Sequence, residues 1–189
     1  MPRTPILPTL DWASIFNRGI PYLDWLKKGE SNENRQKMES IRKGLTLSSS
    51  IQGYLSAILR PIYIIAIAED WCGDVVRHVP VLQKITESSS QIDTRYLGRE
   101  DAKEAFVRFL TNGGEAIPKF IFLNKDFVEC GNWGPMPLEC REWIARGKAC
   151  GDVKTAREKV AAFYDLDNDL RIVVNELVNC IDIATTSKI

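Results

Sequence analysis

The chain has 189 residues, 44% of them hydrophobic, enough to bury the core of one domain with additions or of at most two small domains. Lys and Arg together number 25, as do Asp and Glu, so the net charge is zero and the total gives no general attraction to nucleic acid or to an anionic membrane surface. The longest apolar stretch, Pro61 to Ala68, is too short to span a bilayer, and the N-terminal Met1-Pro2-Arg3-Thr4-Pro5 has no apolar run before a small-residue cleavage site, so a cytoplasmic protein is expected.

The first 60 residues read as helical. Trp12, Ile15, Phe16, Ile20, Leu23 and Leu26 recur every three to four positions, with a break expected at Gly19-Ile20-Pro21. Gly29 to Asn34 reads as a polar loop. Met38, Ile41 and Leu45 continue the pattern, and Ser48-Ser49-Ser50 can cap a helix carrying Ile51, Leu55, Ile58 and Leu59. Two or three N-terminal helices ending at Pro61 are expected.

The pattern then changes. Ile62 to Ala68 is a continuous apolar run rich in β-branched residues, as in a strand buried on both faces. A helix is expected from Asp74 to about Glu87, a strand from Ile92 to Leu97 and a helix from Glu100 to Leu110 that ends at Asn112-Gly113-Gly114. This order favours a parallel strand pair joined by a right-handed crossover. Lys119-Leu123 and Phe127-Cys130 flank Asn124-Lys125-Asp126 as a hairpin, and a further helix fits Leu138 to Arg146. From Asp152 onward Val153, Ala156, Val160, Phe163, Leu170, Val174, Leu177 and Ile181 keep a three-four spacing with Asp167 out of place. One long helix, or two broken between Asp165 and Asn168, would carry them. Such a stripe packs on its own domain or, less commonly, forms the seam of a homodimer.

Five cysteines are present, at 72, 130, 140, 150 and 180, without a Cys-x-x-Cys pair, and His78 is the sole histidine. Neither a disulfide framework nor a metal site is expected. By local pattern, Cys72 alone stands at a strand-to-helix turn, where free backbone N–H groups and the helix dipole favour a thiolate. The alternative is an ordinary buried cysteine. Pro118 opens a strand, where it has no ladder bond to donate and can adopt the cis form.

A buried strand ending in Trp71-Cys72-Gly73, a β-α segment, Ile117-Pro118 46 positions after the cysteine, a hairpin, and Trp133-Gly134 before a last helix together resemble the thioredoxin superfamily. Within it the chain looks most like bacterial thioredoxin-like proteins with Trp-Cys-Gly-Asp in place of Trp-Cys-Gly-Pro-Cys. The resemblance implies an α/β thioredoxin-like fold, a central mixed sheet with helices on both faces, over residues 61–147. Helical extensions at 1–60 and 148–189 complete the expected organisation. It further implies that Cys72 is the nucleophile and that Pro118 is the cis-proline facing its sulfur. Trp71, Gly73, Asp74, Ile117, Trp133 and Gly134 would line the substrate surface, with Ile117 offering its backbone to an extended peptide.

Two positions depart from that pattern. Val75 replaces the resolving cysteine, so a mixed disulfide has no neighbouring thiol to release it. Ala66 stands where the family keeps a buried carboxylate. Asp74 is either a first-turn residue chosen for the helix dipole or a catalytic group, and a carboxylate so near would raise the Cys72 pKa. Arg77 is expected on a solvated helix face, although it could bind a glutathione carboxylate, and His78 is expected as a helix-surface or partly packed histidine, less commonly a general base. Cys140 and Cys180 read as core residues, Cys130 as facing away from Trp133, and Cys150 as part of a Gly-rich turn.

The expected activity is monothiol thiol-disulfide exchange with protein or small-molecule disulfides. Glutathione or another thiol would be co-substrate, and no bound cofactor is expected. The alternative is a redox-inactive thioredoxin-fold module that binds a peptide or protein. A thiol peroxidase ranks lower, because Pro-x-x-x-Thr-x-x-Cys is absent before Cys72.

Overall fold

The computed structural model describes residues 9–186, so the N-terminal residues read above as lacking a leader lie outside the described residues. Four short helices come first: α1 (Trp12–Arg18), α2 (Tyr22–Lys28), α3 (Asn32–Gly44) and α4 (Ser49–Ser56). The polar stretch at 29–34 is shorter than expected, because the Ser31 hydroxyl accepts from the Asn34 amide and starts α3 there. Ser48 caps α4 in the same way, through the Ile51 amide.

β1 (Ile62–Ile67) leads into α5 (Gly73–Thr86), and β2 (Ile92–Leu97) pairs with β1 in parallel, Ile62 opposite Ile92. The helix expected over 100–110 is α6 (Lys103–Phe106), one turn long. Ala102, Ala105, Phe106 and Phe109 in this segment are all buried. The hydrogen bonds Arg108 N to Ala105 O and Phe109 N to Phe106 O nevertheless tighten to a three-residue spacing and end the α-helix.

β3 (Lys119–Leu123) runs antiparallel to β1 and to β4 (Glu129–Trp133), giving the mixed sheet order β2-β1-β3-β4. The hairpin turn is held by the Asn124 side chain, which accepts from the amides of Asp126 and Val128. β4 starts two residues later than expected, because Phe127 takes a left-handed conformation within the turn.

α7 (Leu138–Cys150) runs past the expected end at Arg146 and takes in Cys150, so that thiol is helical. The final stripe divides into α8 (Val153–Leu166) and α9 (Arg171–Thr185). Asp167, the residue out of phase, is the reason for the break. It is buried between the two helices, and its carboxylate accepts from the Ile172 amide in the first turn of α9.

One contiguous core joins residues of α1 to α4, all four strands, α5 and α9. Cys140, Val160 and Phe163 form a smaller cluster between α7 and α8. The apolar stripe that suggested a seam between copies is thus spent within the chain: α8 buries Ala156, Val160 and Phe163, and α9 buries Val173, Val174, Leu177, Ile181 and Ala184. No described helix is long and apolar enough to cross a membrane.

Candidate functional site

Cys72 is the N-cap residue of α5, as its place after a buried strand predicts. The loop that carries it is pinned from the N-terminal helices. The Trp25 indole donates to Ala68 O at 3.2 Å, the Ser31 amide to the Asp70 carboxylate at 2.9 Å, and the Asn34 side chain to Asp70 O at 2.9 Å. On its other side, Glu69 accepts from the Arg99 amide at 2.9 Å. None of these partners was legible as a site residue, since they sit 30 to 43 positions away.

The Cys72 Sγ–H donates to the carbonyl of Ile117 at 3.4 Å, and the Ile117–Pro118 peptide is cis. The cysteine and the proline loop, 45 positions apart at this contact, are thereby brought together. The Ile117 side chain is buried, so its backbone is what faces the sulfur. Trp71 is 59% exposed with the Arg99 guanidinium 5.3 Å from its ring centre, and Gly73 is exposed with open space where a side chain would begin.

The thiol is not the low-pKa group that the helix terminus predicts. Burial raises its pKa above the ordinary cysteine value and outweighs the amides of Val75 and Asp74, which lower it; the Asp74 charge raises it further, and Arg99 lowers it. All five cysteines are free thiols. Cys140 is fully buried and Cys180 half-buried.

Asp74 is neither a solvated first-turn residue nor a freely ionising one. The Tyr164 hydroxyl donates to its carboxylate at 2.7 Å, and burial raises its pKa. Arg77, expected on a solvated face, donates to the carbonyls of Tyr164 (3.0 Å) and Asp167 (2.7 Å) and lies 4.4 Å from the Tyr164 ring centre. The turn between α8 and α9 is thus clamped onto α5. Asp74→Asn keeps an acceptor for Tyr164 while removing the charge. It is expected to lower the Cys72 pKa and speed Cys72 alkylation several-fold at neutral pH; an unchanged rate-against-pH curve would show that the Asp74 charge does not reach the sulfur.

Two expected substrate-surface residues and one histidine are corrected. Trp133 is only 2% exposed: it stacks on Phe120, meets His78 edge-on, and donates from its indole to Glu176 at 2.6 Å. It lines no substrate surface because α5 and α9 cover it. Gly134 is buried behind the proline loop, against the Pro118 carbonyl. His78, expected at or near the surface, is 0% exposed and bonded through Nδ1 to Pro135 O at 3.2 Å.

Val75 is fully buried, and Ala66 lies in the sheet between Tyr96 and Phe120. Among the described residues, no group of three His, Cys, Asp or Glu side chains is placed to hold a metal ion.

No curated protein matches the sequence. The fold is similar to the crystal structure of a protein of unknown function from Pseudomonas aeruginosa, with a TM-score of 0.69 at 17% identity over 92% of this chain and 98% of that one. It is also similar to an HIV epitope-scaffold, with a TM-score of 0.60 at 18% identity over 82% of this chain and 98% of that one. A thioredoxin family model matches residues 23–154, from α2 to the start of α8. With the mixed sheet, Cys72 at the start of α5 and the cis-proline loop against its sulfur, that match identifies the chain as a member of the thioredoxin family.

Proposed function

We propose that this protein is a monothiol thiol-disulfide exchange protein, of the thioredoxin-like kind with a Trp-Cys-Gly-Asp site, acting on cytoplasmic disulfides. The Cys72 Sγ contact with the carbonyl before cis-Pro118 carries this reading. A disulfide sulfur seated there is flanked by the nucleophile and by a backbone ready to hold an extended substrate, with exposed Trp71 beside it.

The Cys72 thiol first loses its proton to solvent or to a base. The thiolate attacks one sulfur of a substrate disulfide, a bond forms between the two sulfurs, and the second substrate sulfur leaves as a thiolate. With valine at position 75, an external thiol such as glutathione then attacks the substrate sulfur of the mixed disulfide and returns Cys72 as thiolate. No bound cofactor takes part. The raised pKa of Cys72 makes the first step slow at neutral pH and faster as pH rises, because the thiolate is the nucleophile.

The same raised pKa, with apolar Val75 and Ala66 in place of the usual cysteine and carboxylate, favours a second reading: a redox-inactive module that holds a peptide or protein against Trp71 and the Ile117–Pro118 backbone.

Incubation with oxidised glutathione separates the two, read by mass spectrometry. The exchange reading expects one glutathione adduct, located at Cys72, released by reduced glutathione, absent in Cys72→Ser, and forming faster as pH rises from 7 to 9. Adducts at exposed Cys150 with none at Cys72 would overturn it. Partner capture that survives Cys72→Ser would favour the binding module.

A further inference from the structure

A cleft of about 390 Å³ lies between residues 108–112, the Lys119 end of β3, Asn132 of β4 and α7. Three cations line it, Arg108, Lys119 and Arg141, against a single carboxylate, Glu142. That carboxylate faces Arg146 of its own helix at 3.6 Å.

Lys119 is 2% exposed, and its ammonium donates to Thr111 Oγ1 (3.1 Å) and Gly134 O (2.8 Å). Those two bonds leave one of its three donors unspent, and among the described residues it has no carboxylate partner. The Nε of Arg141 is buried without a hydrogen-bond partner. Arg108 feels the charge of Glu129 but forms no ion pair with it. Burial, with Arg141 beside it, pushes the Lys119 pKa down to about 8. An ammonium held this far from water beside a second cation is costly unless a counter-charge meets it. A guanidinium fork and a compact ammonium converging on one cleft match an oxyanion, and three cations match one of multiple charge.

We propose that this cleft binds an oxyanion of the phosphate class, free or carried on a small molecule, with Lys119 and Arg141 as principal donors and Arg108 completing the set. The proposal does not depend on thiol chemistry, so Cys72→Ser serves as a reference protein free of site oxidation.

Thermal unfolding of that reference at constant ionic strength, with inorganic phosphate replacing chloride, tests it. At phosphate ten times its Kd, the expected rise in Tm is about 3 to 6 °C for a chain of this size. Glycerol 3-phosphate in place of phosphate distinguishes a carried group from the free ion: a larger shift assigns the former, an equal or smaller one the latter. Arg141→Gln in the same background is expected to abolish most of the shift. Arg108→Gln, at a half-exposed position, is expected to weaken it and supplies the test should Arg141→Gln fail to fold. No shift at any phosphate concentration, an equal shift with acetate, or a shift unchanged in the folded arginine variant would overturn the proposal.

Discussion

Replacing Gly134 by alanine is expected to destabilise the protein by about 3 kcal/mol or more, read as a lower urea midpoint at pH 7. Two independent penalties meet at this residue. Its φ of +115° is a conformation that side-chain-bearing L residues rarely adopt. A Cβ there would also overlap the Pro118 carbonyl oxygen, with the Lys119 Cα at 3.4 Å, so relief requires backbone to move and not just a side chain to rotate. The segment that would move carries cis-Pro118 and the Ile117 carbonyl facing Cys72, so Gly134→Ala is expected to change the Cys72 alkylation rate as well. Gly73→Ala is the matched control. Its Cβ would meet nothing within 4 Å, and a change of no more than about 1 kcal/mol is expected. Equal stabilities for the two variants would mean that the proline loop yields freely.

The second large effect is acid sensitivity from His78. This side chain is fully buried, edge-on to Trp133 and Tyr164, and donates from Nδ1 to Pro135 O, which leaves Nε2 unprotonated and without a partner. Burial, reinforced by the Arg77 charge, lowers its pKa from 6.5 to about 3. The folded state therefore binds fewer protons than the unfolded state between these values. The contribution of His78 is fully present above pH 6.5 and is lost as pH falls toward 3, at about 1.4 kcal/mol per pH unit. Two buried carboxyls, Asp74 and Asp167, run the other way. Burial raises their pKa values, so their contributions are full below the unfolded carboxylate range and are lost as pH rises through the folded values.

Comparison with His78→Gln, which keeps a donor for Pro135 O but does not titrate, isolates the histidine. The variant is expected to be less stable at pH 7 by about 1 to 2 kcal/mol, from imperfect packing and bonding in a tight site. The gap should then narrow, and reverse, by about 3 kcal/mol between pH 6.5 and 4 in urea titrations. Parallel stability curves for the two proteins over that range would show that His78 does not titrate on unfolding in this way.

The elements that position Cys72 could be read locally. The run from Ile62 was recognisable as a doubly buried strand because neither face offers a polar residue, and β1 is covered on both sides. The start of α5 followed from the apolar strand giving way to Gly73 and Asp74, and the parallel pairing of β1 with β2 from the intervening helix. Ser48 capped the helix it was expected to cap, since capping is a bond between residues three apart. Interactions of short sequence range are written into the neighbouring residues. The places of Cys72 at the start of a helix and of Pro118 at the entrance of a strand were therefore legible from their neighbours.

What surrounds those residues was not legible. Trp133, which the resemblance placed on the substrate surface, and His78, read as helix-surface or partly packed, are covered by residues distant in the chain. Their cover comes from each other, from Glu176 of α9 and from Tyr164 of α8. The buried ammonium of Lys119 was hidden for the same reason, its partners being Thr111 and Gly134. The Cys72 thiol marks the division most clearly. Its place at a helix N-terminus is a property of the sequence and lowers its pKa through two adjacent amides. Its burial is a property of the packed molecule and raises that pKa by more, because solvation depends on every chain segment that excludes water, whatever its distance along the sequence.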